Sequence, residues 1–313
     1  GQFIVDCLHQ AGVPQVIVQV LHGEADIGRA IVALEGLRGL FFTGSSKAGL
    51  SIHKALAGRP QTLLALEMGG NNPLLVDQVE DIAAASRLVC QSAFITAGQR
   101  CTCARRVLIP AGKWGDAFLD QLKTDVSLIE VGNPSGEQQP YMGTVISSAA
   151  ADNVLKFEAT LVRRGAKPIL PLKGFEDRSA LLMPGLIDVT GTEFTDEECF
   201  GPLLQVQRYT SLSQAYEFCN QTAYGLAAGL LSDSEAIYTE FSREVRAGLI
   251  NWNAPLTGAS STAPFGGVGL SGNYRPSAFF AADYCSYPVA SIEKNEMPAQ
   301  QAFPGFPLKE ETA

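Results

Sequence analysis

The chain has 313 residues, 46% hydrophobic and 18% charged, a globular composition with length for one large or two medium domains. A net charge of -9 without any basic stripe argues against nucleic acid, whose phosphates are bound through clustered Lys and Arg. No apolar run approaches a bilayer-spanning length and the start lacks a signal-peptide pattern, which predicts no membrane partner and a soluble, cytoplasmic protein.

The opening, GQFIVDCLHQAG, begins without Met inside an amphipathic helical pattern, and predicts that the sequence is a piece of something longer. PQVIVQV (14–20) then reads as an apolar strand, ADIGRAIVAL (25–34) as helix, GLFF (39–42) as strand, SSKAGLSIHKALAG (45–58) as helix and TLLALE (62–67) as strand. Strands joined by helices of this length need crossovers, hence a parallel sheet covered on both faces. Ligands of such sheets sit at the carboxyl ends of the strands, where TGSSKAG and EMGGNN lie. A second cycle follows, with strand PLLV, a helix over 79–97, strand ARRVLI and a helix over 113–128, then a turn-rich loop at 131–143. Beyond it the pattern predicts helix 147–164, strands near 167–170 and 180–187, strand 203–209, helix 212–221, strand 226–231, helix 234–246 and strand 248–252. A Gly-rich loop spans 261–276. DYCSYPVASIE (283–293) alternates like a final strand, and the last twenty residues read as a tail.

The seven cysteines, Cys7, Cys90, Cys101, Cys103, Cys199, Cys219 and Cys285, are scattered and odd in number, which predicts neither a disulfide framework nor a metal site. His9, His22 and His53 are not spaced as ligands, and none is grouped near Cys101 as a base. In FFTGSSKAG, Gly44, Ser45 at a helix N-cap and Gly49 one turn in would offer free N–H groups to a pyrophosphate, or serve only as a capped helix with glycines for close packing. Glu67, at a strand end before two glycines, could be partly desolvated, titrate near neutrality and act as a general base, or be an ordinary capping or ion-paired residue. Cys101 follows a helix that Gly98 can end, and Arg100, Arg105 and Arg106 would favour its thiolate if any faced the sulfur. Cys103 shares that neighbourhood, and a small buried hydrophobe is the alternative for both. Glu198, before Phe200-Gly201-Pro202, could accept the hydroxyls of a ribose or be a solvated loop charge.

FTGSSKAG, LEMGGNNP, GQRC, EECFGP and PFGGVGLSG, in that order and with these spacings, resemble the aldehyde dehydrogenase superfamily along nearly the whole chain. The resemblance implies an α/β fold with an incomplete parallel-sheet cofactor domain at 1–69, an α/β catalytic domain at 70–272, and a return segment, oligomerisation strand and tail at 273–313. It implies Cys101 rather than Cys103 as nucleophile, since the family's nucleophile follows the Gly-Gln pair with one residue between. Glu67, 34 positions earlier, would be the general base. NAD is the implied cofactor, with Gly44, Ser45, Ser46, Lys47, Ala48 and Gly49 by the pyrophosphate, Gly69 close to the cofactor, Glu198 on the nicotinamide ribose and Phe200 by the ring. The family's N-terminal part, with an Asn for the oxyanion and a Lys for the adenosine ribose, has no counterpart in these residues, so an inactive piece of an enzyme is an alternative. The strand expected near 284–292 resembles the family's oligomerisation strand, which implies a homodimer or larger homo-oligomer; an edge strand of the same chain is the alternative. ALEMGGNNPL, CTCARR and LINWNAPLTGASSTAPFGGVGLSGNYRP are similar to the members that oxidise a succinylated glutamate semialdehyde in arginine catabolism; another acidic semialdehyde is the alternative substrate. Such a small-molecule aldehyde with carboxylates would need cationic or donor contacts, for which Arg100, Arg106 and Arg275, with Ser260, Ser261 and Thr262, are candidates. A thiol hydrolase or acyltransferase using Cys101 and Glu67 without a nicotinamide, and a non-catalytic fragment or structural homologue, are the readings from other classes.

Overall fold

A computed structural model describes residues 1–308 except 134, 137, 138, 176, 177 and 298, with the side chains of 178 and 179 also outside the description. Helices α1 (Gln2–Gln10) and α2 (Ala25–Ala33) lead into β1 (Gly39–Gly44), α3 (Ser46–Ala55) and β2 (Leu63–Met68). β1 and β2 pair in parallel, from Gly39 opposite Leu63 to Gly44 opposite Met68. The crossover helix starts where Ser45 Oγ accepts the Ala48 N–H at 3.3 Å, and His53 and Lys54 in its last turn suit the negative end of the dipole. Gly49 lets α3 lie directly on β2, since a Cβ there would overlap the Met68 thioether.

A short glycine link takes the chain into a seven-stranded sheet. β3 (Pro73–Val76), α4 (Ile82–Phe94), β4 (Arg106–Pro110), α5 (Lys113–Ser127), α6 (Ser148–Arg163) and β5 (Lys167–Leu170) come first. The hairpin β6 (Lys173–Phe175) and β7 (Arg178–Met183) follows, then β8 (Gly185–Asp188), β9 (Leu203–Tyr209), α7 (Leu212–Asn220), β10 (Ala227–Leu231), α8 (Glu235–Glu244) and β11 (Leu249–Trp252). The strand order is β11-β10-β3-β4-β9-β8-β5, parallel throughout except for β5 against β8. Alternate residues feed two cores, as the two-residue strand period requires. Leu74, Val107 and Ile109 pack with α4, α5 and α6, while Leu75 and Leu108 face Tyr216 of α7 and Phe241 of α8. Among the described residues no helix is long and apolar enough to cross a membrane.

Three stretches depart from the sequence reading. Residues 14–20 form turns rather than a strand, with Val16 82% and Ile17 69% exposed. The sheet of β1 and β2 has two strands, and among the described residues no ladder reaches this segment. β1 is correspondingly only half-covered. The single strand expected at 180–187 is divided at Pro184, β7 pairing with β6 and β8 with β5 and β9; proline cannot donate to a ladder, so the chain changes sheets there. Residues 283–293 make no strand: a 3-10 turn at Phe279–Tyr284 gives way to irregular chain, with Ile292 95% exposed. Alternation makes a strand only where a neighbouring backbone is available, and among the described residues none pairs with this segment.

The Gly-rich loop folds back through β12 (Pro264–Phe265) and β13 (Ser277–Ala278), an antiparallel pair. Gly272 bridges to Glu67, and the Asn273 amide donates to Leu64 O at 2.8 Å and accepts from Leu66 N at 2.9 Å. The loop thus acts as a partial third strand beside β2.

Candidate active site

A cleft of about 910 Å³ separates the carboxyl edge of β1 and β2 from the amino edge of the larger sheet. Only the smaller sheet therefore presents the strand ends at which a parallel-sheet ligand was expected; the larger one contributes the turns before β4 and β9. Glu67 lines the cleft from near the end of β2. Gly266 of the folded-back loop approaches it so closely that a Cβ there would lie 2.8 Å from Oε1. Both carboxylate oxygens are buried without a hydrogen-bond partner of ordinary geometry. Burial pushes the Glu67 pKa from the usual 4.5 to about 7, with Ser277 near enough to oppose the rise in part. Desolvation, not a neighbouring charge, is the dominant cause. This is an acid poised to take or release a proton near neutrality, and no ion pair holds it among the described residues.

Cys101 comes from the opposite wall. After α4 the chain reverses through Thr96, Ala97 and Gly98, at φ 54, 55 and 68, a left-handed run that costs free energy at the two residues with side chains. Gly98 is further required because a Cβ would strike the Gly201 carbonyl. Two amides hold this turn. Gln99 donates to Thr96 O and Thr144 O at 3.1 and 3.2 Å and accepts from Ile146 N at 2.8 Å. Asn72, buried at the start of β3, donates to Cys101 O at 2.7 Å and Cys103 O at 2.9 Å and accepts from Ala227 N at 3.1 Å. The Gly-Gln and Asn-Asn pairs served in the sequence as marks of the resemblance, and neither Gln99 nor Asn72 was given this role. Cys101 is half-buried and lines the cleft, whereas Cys103 is fully buried with its thiol towards Ile95 O at 3.9 Å.

The arginines do not activate Cys101 as anticipated. Its pKa is raised, first by burial and next by the charge of Glu198, with Glu67 adding a little; the N–H groups of Thr102 and Cys101 itself oppose this. Arg105 is engaged by Glu198. Arg106 is fully buried elsewhere, donating to Asn71 O, Phe218 O and Cys219 O at 3.0, 2.6 and 3.2 Å, and burial lowers its pKa to about 10. Arg106 is therefore structural and not a contact for substrate carboxylates. Arg275 is exposed and donates to Tyr274 O rather than lining the cleft. Thr262 is bonded to Ser260 at 2.7 Å and also lies outside the lining. Arg100, Ser260 and Ser261 do line it.

The third wall combines the N-terminus of α3 with the loop before β9. Thr43, Gly44 and Ser45 line the cleft there, and the first N–H groups of α3 have no intrahelical acceptor. Ser46 holds the helix to Tyr224, hydroxyl to hydroxyl at 2.9 Å; Ala48 supplies the capping N–H, Gly49 packs on Met68, and Lys47 is exposed. Opposite stand Glu198, paired with Arg105 at 3.3 Å, and the half-exposed Phe200. A Cβ at Gly69 would overlap the Glu198 carboxylate and displace it. The structure thus gathers Glu67, Cys101, Gly44, Ser45, Gly69, Glu198 and Phe200 around one space.

A family model described as the aldehyde dehydrogenase family matches residues 1–287. The chain belongs to the aldehyde dehydrogenase family. It is 53% identical over 301 residues to an N-succinylglutamate 5-semialdehyde dehydrogenase of Chromobacterium violaceum, covering 96% of this chain and 62% of that one. To the protein of the same description from Pseudomonas fluorescens it is 54% identical over 294 residues, covering 94% and 60%. The chain thus spans about 60% of the length of these curated relatives. Among solved structures, 1-pyrroline-5-carboxylate dehydrogenase from Thermus with bound NAD is similar at a TM-score of 0.80 and 28% identity, over 88% of this chain and 55% of that one. Mycobacterium tuberculosis aldehyde dehydrogenase complexed with NAD+ is similar at 0.82 and 25%, over 88% and 57%.

Proposed function

We propose that this family member takes part in the NAD-dependent oxidation of N-succinyl-L-glutamate 5-semialdehyde to N-succinyl-L-glutamate, a step of arginine catabolism. The observation that carries the chemistry is the meeting of Cys101 with a Glu67 whose two buried oxygens lack partners. The relatives at 53–54% identity bearing that enzyme's description support the substrate.

In this reaction the Cys101 sulfur, once deprotonated, bonds to the aldehyde carbon and forms a thiohemiacetal. NAD, when bound, supplies the acceptor for the hydride that leaves this carbon. Glu67 then removes a proton from water, which attacks the Cys101 thioester and frees the acid and the thiol. The N–H groups at the start of α3 and Gly44 suit the pyrophosphate of the dinucleotide, the Glu198 carboxylate suits ribose hydroxyls, and Phe200 offers an apolar face to a ring. The glycine at 69, where a Cβ would displace Glu198, fits the same reading. Residues 1–69 act as part of a cofactor domain, 70–272 as the catalytic domain, and 273–313 as a return and assembly segment. Arg100, with Ser260 and Ser261, is the group available to substrate carboxylates.

A homodimer or larger assembly is consistent with the exposed Tyr287, Val289 and Ile292, and seven unpaired cysteines suit a reducing cytoplasm. The test is turnover with NAD on the semialdehydes of N-succinylglutamate, glutamate and succinate. The reading expects kcat/KM to be highest for the first; equal values for all three overturn the substrate, and no reduced cofactor from any of them overturns the reaction.

A further inference from the structure

Arg105 is fully buried, yet its guanidinium reaches two separate arms of the cleft. Nη1 donates to Gly98 O at 2.5 Å and Nη2 to Arg100 O at 2.9 Å, both on the turn that ends in Cys101. The same Nη2 meets Glu198 Oε1 at 3.3 Å, on the loop before β9. Its carbon lies 5.1 Å from the centre of the Phe200 ring. A planar, permanently charged fork can serve two carbonyls, a carboxylate and an aromatic face together, which a lysine ammonium does not reproduce. Arg106, the next residue, donates only to main-chain carbonyls of Asn71, Phe218 and Cys219 and touches neither arm.

We propose that Arg105 is a positioning residue that locks the Glu198–Phe200 loop to the Cys101 turn, so that the cofactor-facing carboxylate and the nucleophile are held as one unit. This rests on the reading of Cys101 as nucleophile. It also gives Arg105 an electrostatic task. The charged groups facing Cys101 are Glu198 from the loop before β9 and Glu67 from β2, with Arg100 adjacent on its own turn. Arg105 acts through Glu198, whose charge it answers. Without the guanidinium, that carboxylate stands uncompensated near the sulfur, and two carbonyls of the turn lose their donor.

The test is the pH profile of Cys101 alkylation by iodoacetamide in the intact protein, without NAD or aldehyde. Mass spectrometry of the Cys101 peptide separates it from the exposed Cys7 and Cys285. Arg105→Met is expected to raise the midpoint by about one unit, so that the rate at neutral pH falls roughly tenfold. Arg105→Lys should lie between that variant and the parent. Arg105→Met with Glu198→Gln should return towards the parent profile, because the charge that needed answering has gone. Glu198→Gln alone should move the midpoint below the parent's, the guanidinium then being uncompensated. An unchanged midpoint in Arg105→Met, or one that the second substitution does not restore, overturns the proposal. If Arg105→Met does not fold, an unmoved midpoint in Glu198→Gln overturns it instead. Alkylation needs no turnover, so a parent protein without dehydrogenase activity refutes the proposed reaction and leaves this result readable.

Discussion

Replacing Glu67 by glutamine should make the protein more stable and less active, with a defined pH dependence. Burial raises the carboxyl from 4.5 to about 7, a difference corresponding to about 3 kcal/mol between the protonation states. Because the side chain is only partly enclosed, solvent screening reduces this to about 2 kcal/mol. The sign follows from which state binds the proton more tightly. Below the unfolded value of 4.5 both states are protonated and nothing is lost. Between 4.5 and about 7 the unfolded chain ionises while the folded one does not, so destabilisation grows; above about 7 it is complete. Glu67→Gln, of the same shape but never ionised, should therefore have a higher urea midpoint than the parent at pH 8, and the two midpoints should converge near pH 4. On the proposed mechanism the same substitution removes the base that opens the thioester, lowering turnover by about 10²- to 10⁴-fold. The parent's turnover should rise through pH 7 as Glu67 ionises, while the variant lacks that limb. A variant no more stable at pH 8 than the parent refutes the burial argument. One that retains parental turnover refutes the role of Glu67.

Cys101→Ser should reduce NAD-linked turnover to background, whereas Cys103→Ser should keep the chemistry and lose about 1–3 kcal/mol of stability, because a hydroxyl would enter a sealed apolar site; steady-state kinetics and urea unfolding of the pair check this. Gly69→Ala should weaken dinucleotide binding by roughly 10- to 100-fold, the worth of one hydrogen bond to a charged group, as its methyl displaces Glu198. Calorimetric titration with NAD measures it, and unchanged affinity overturns the placement of Glu198 at the cofactor.

The elements most legible in the sequence were those whose partners lie within this chain. PLLV could be read as a buried strand because both of its faces are covered by helices that the same pattern reveals, and α3 could be placed from Ser45 and the glycine after it. The alternation at 283–293 and the apolar run at 14–20 are local signals of the same strength, but a strand is completed by backbone from elsewhere, and among the described residues none pairs with them. At the site, strand-end placement made Glu67 legible, since its desolvation follows from the fold's edge. The role of the arginines was not legible. Three cations close to Cys101 in sequence suggested a stabilised thiolate, yet Arg105 is turned to Glu198 and Arg106 to main-chain carbonyls. Sequence proximity fixes neither the direction of a long side chain nor the partner that satisfies it.

These directions bear on how Cys101 and Glu67 could work in turn. Each is a potential anion in a desolvated cleft, and the charge of Glu67 makes the Cys101 thiolate harder to form. The influence is small, behind burial and Glu198, so a proton on Glu67 eases ionisation of the sulfur only slightly. In the proposed reaction, attack on the aldehyde is therefore slightly favoured while Glu67 holds its proton. Glu67, raised to about 7 by burial, is already partly ionised near neutral pH whatever the state of the sulfur. It can therefore take up a proton at the step that needs a base. The alternation requires that Glu67 have no permanent partner, since a salt bridge would hold it ionised throughout. Its two unpaired oxygens and the stability they forfeit above neutral pH are thus the physical condition for using one carboxylate at one stage of the cycle and keeping it neutral at another.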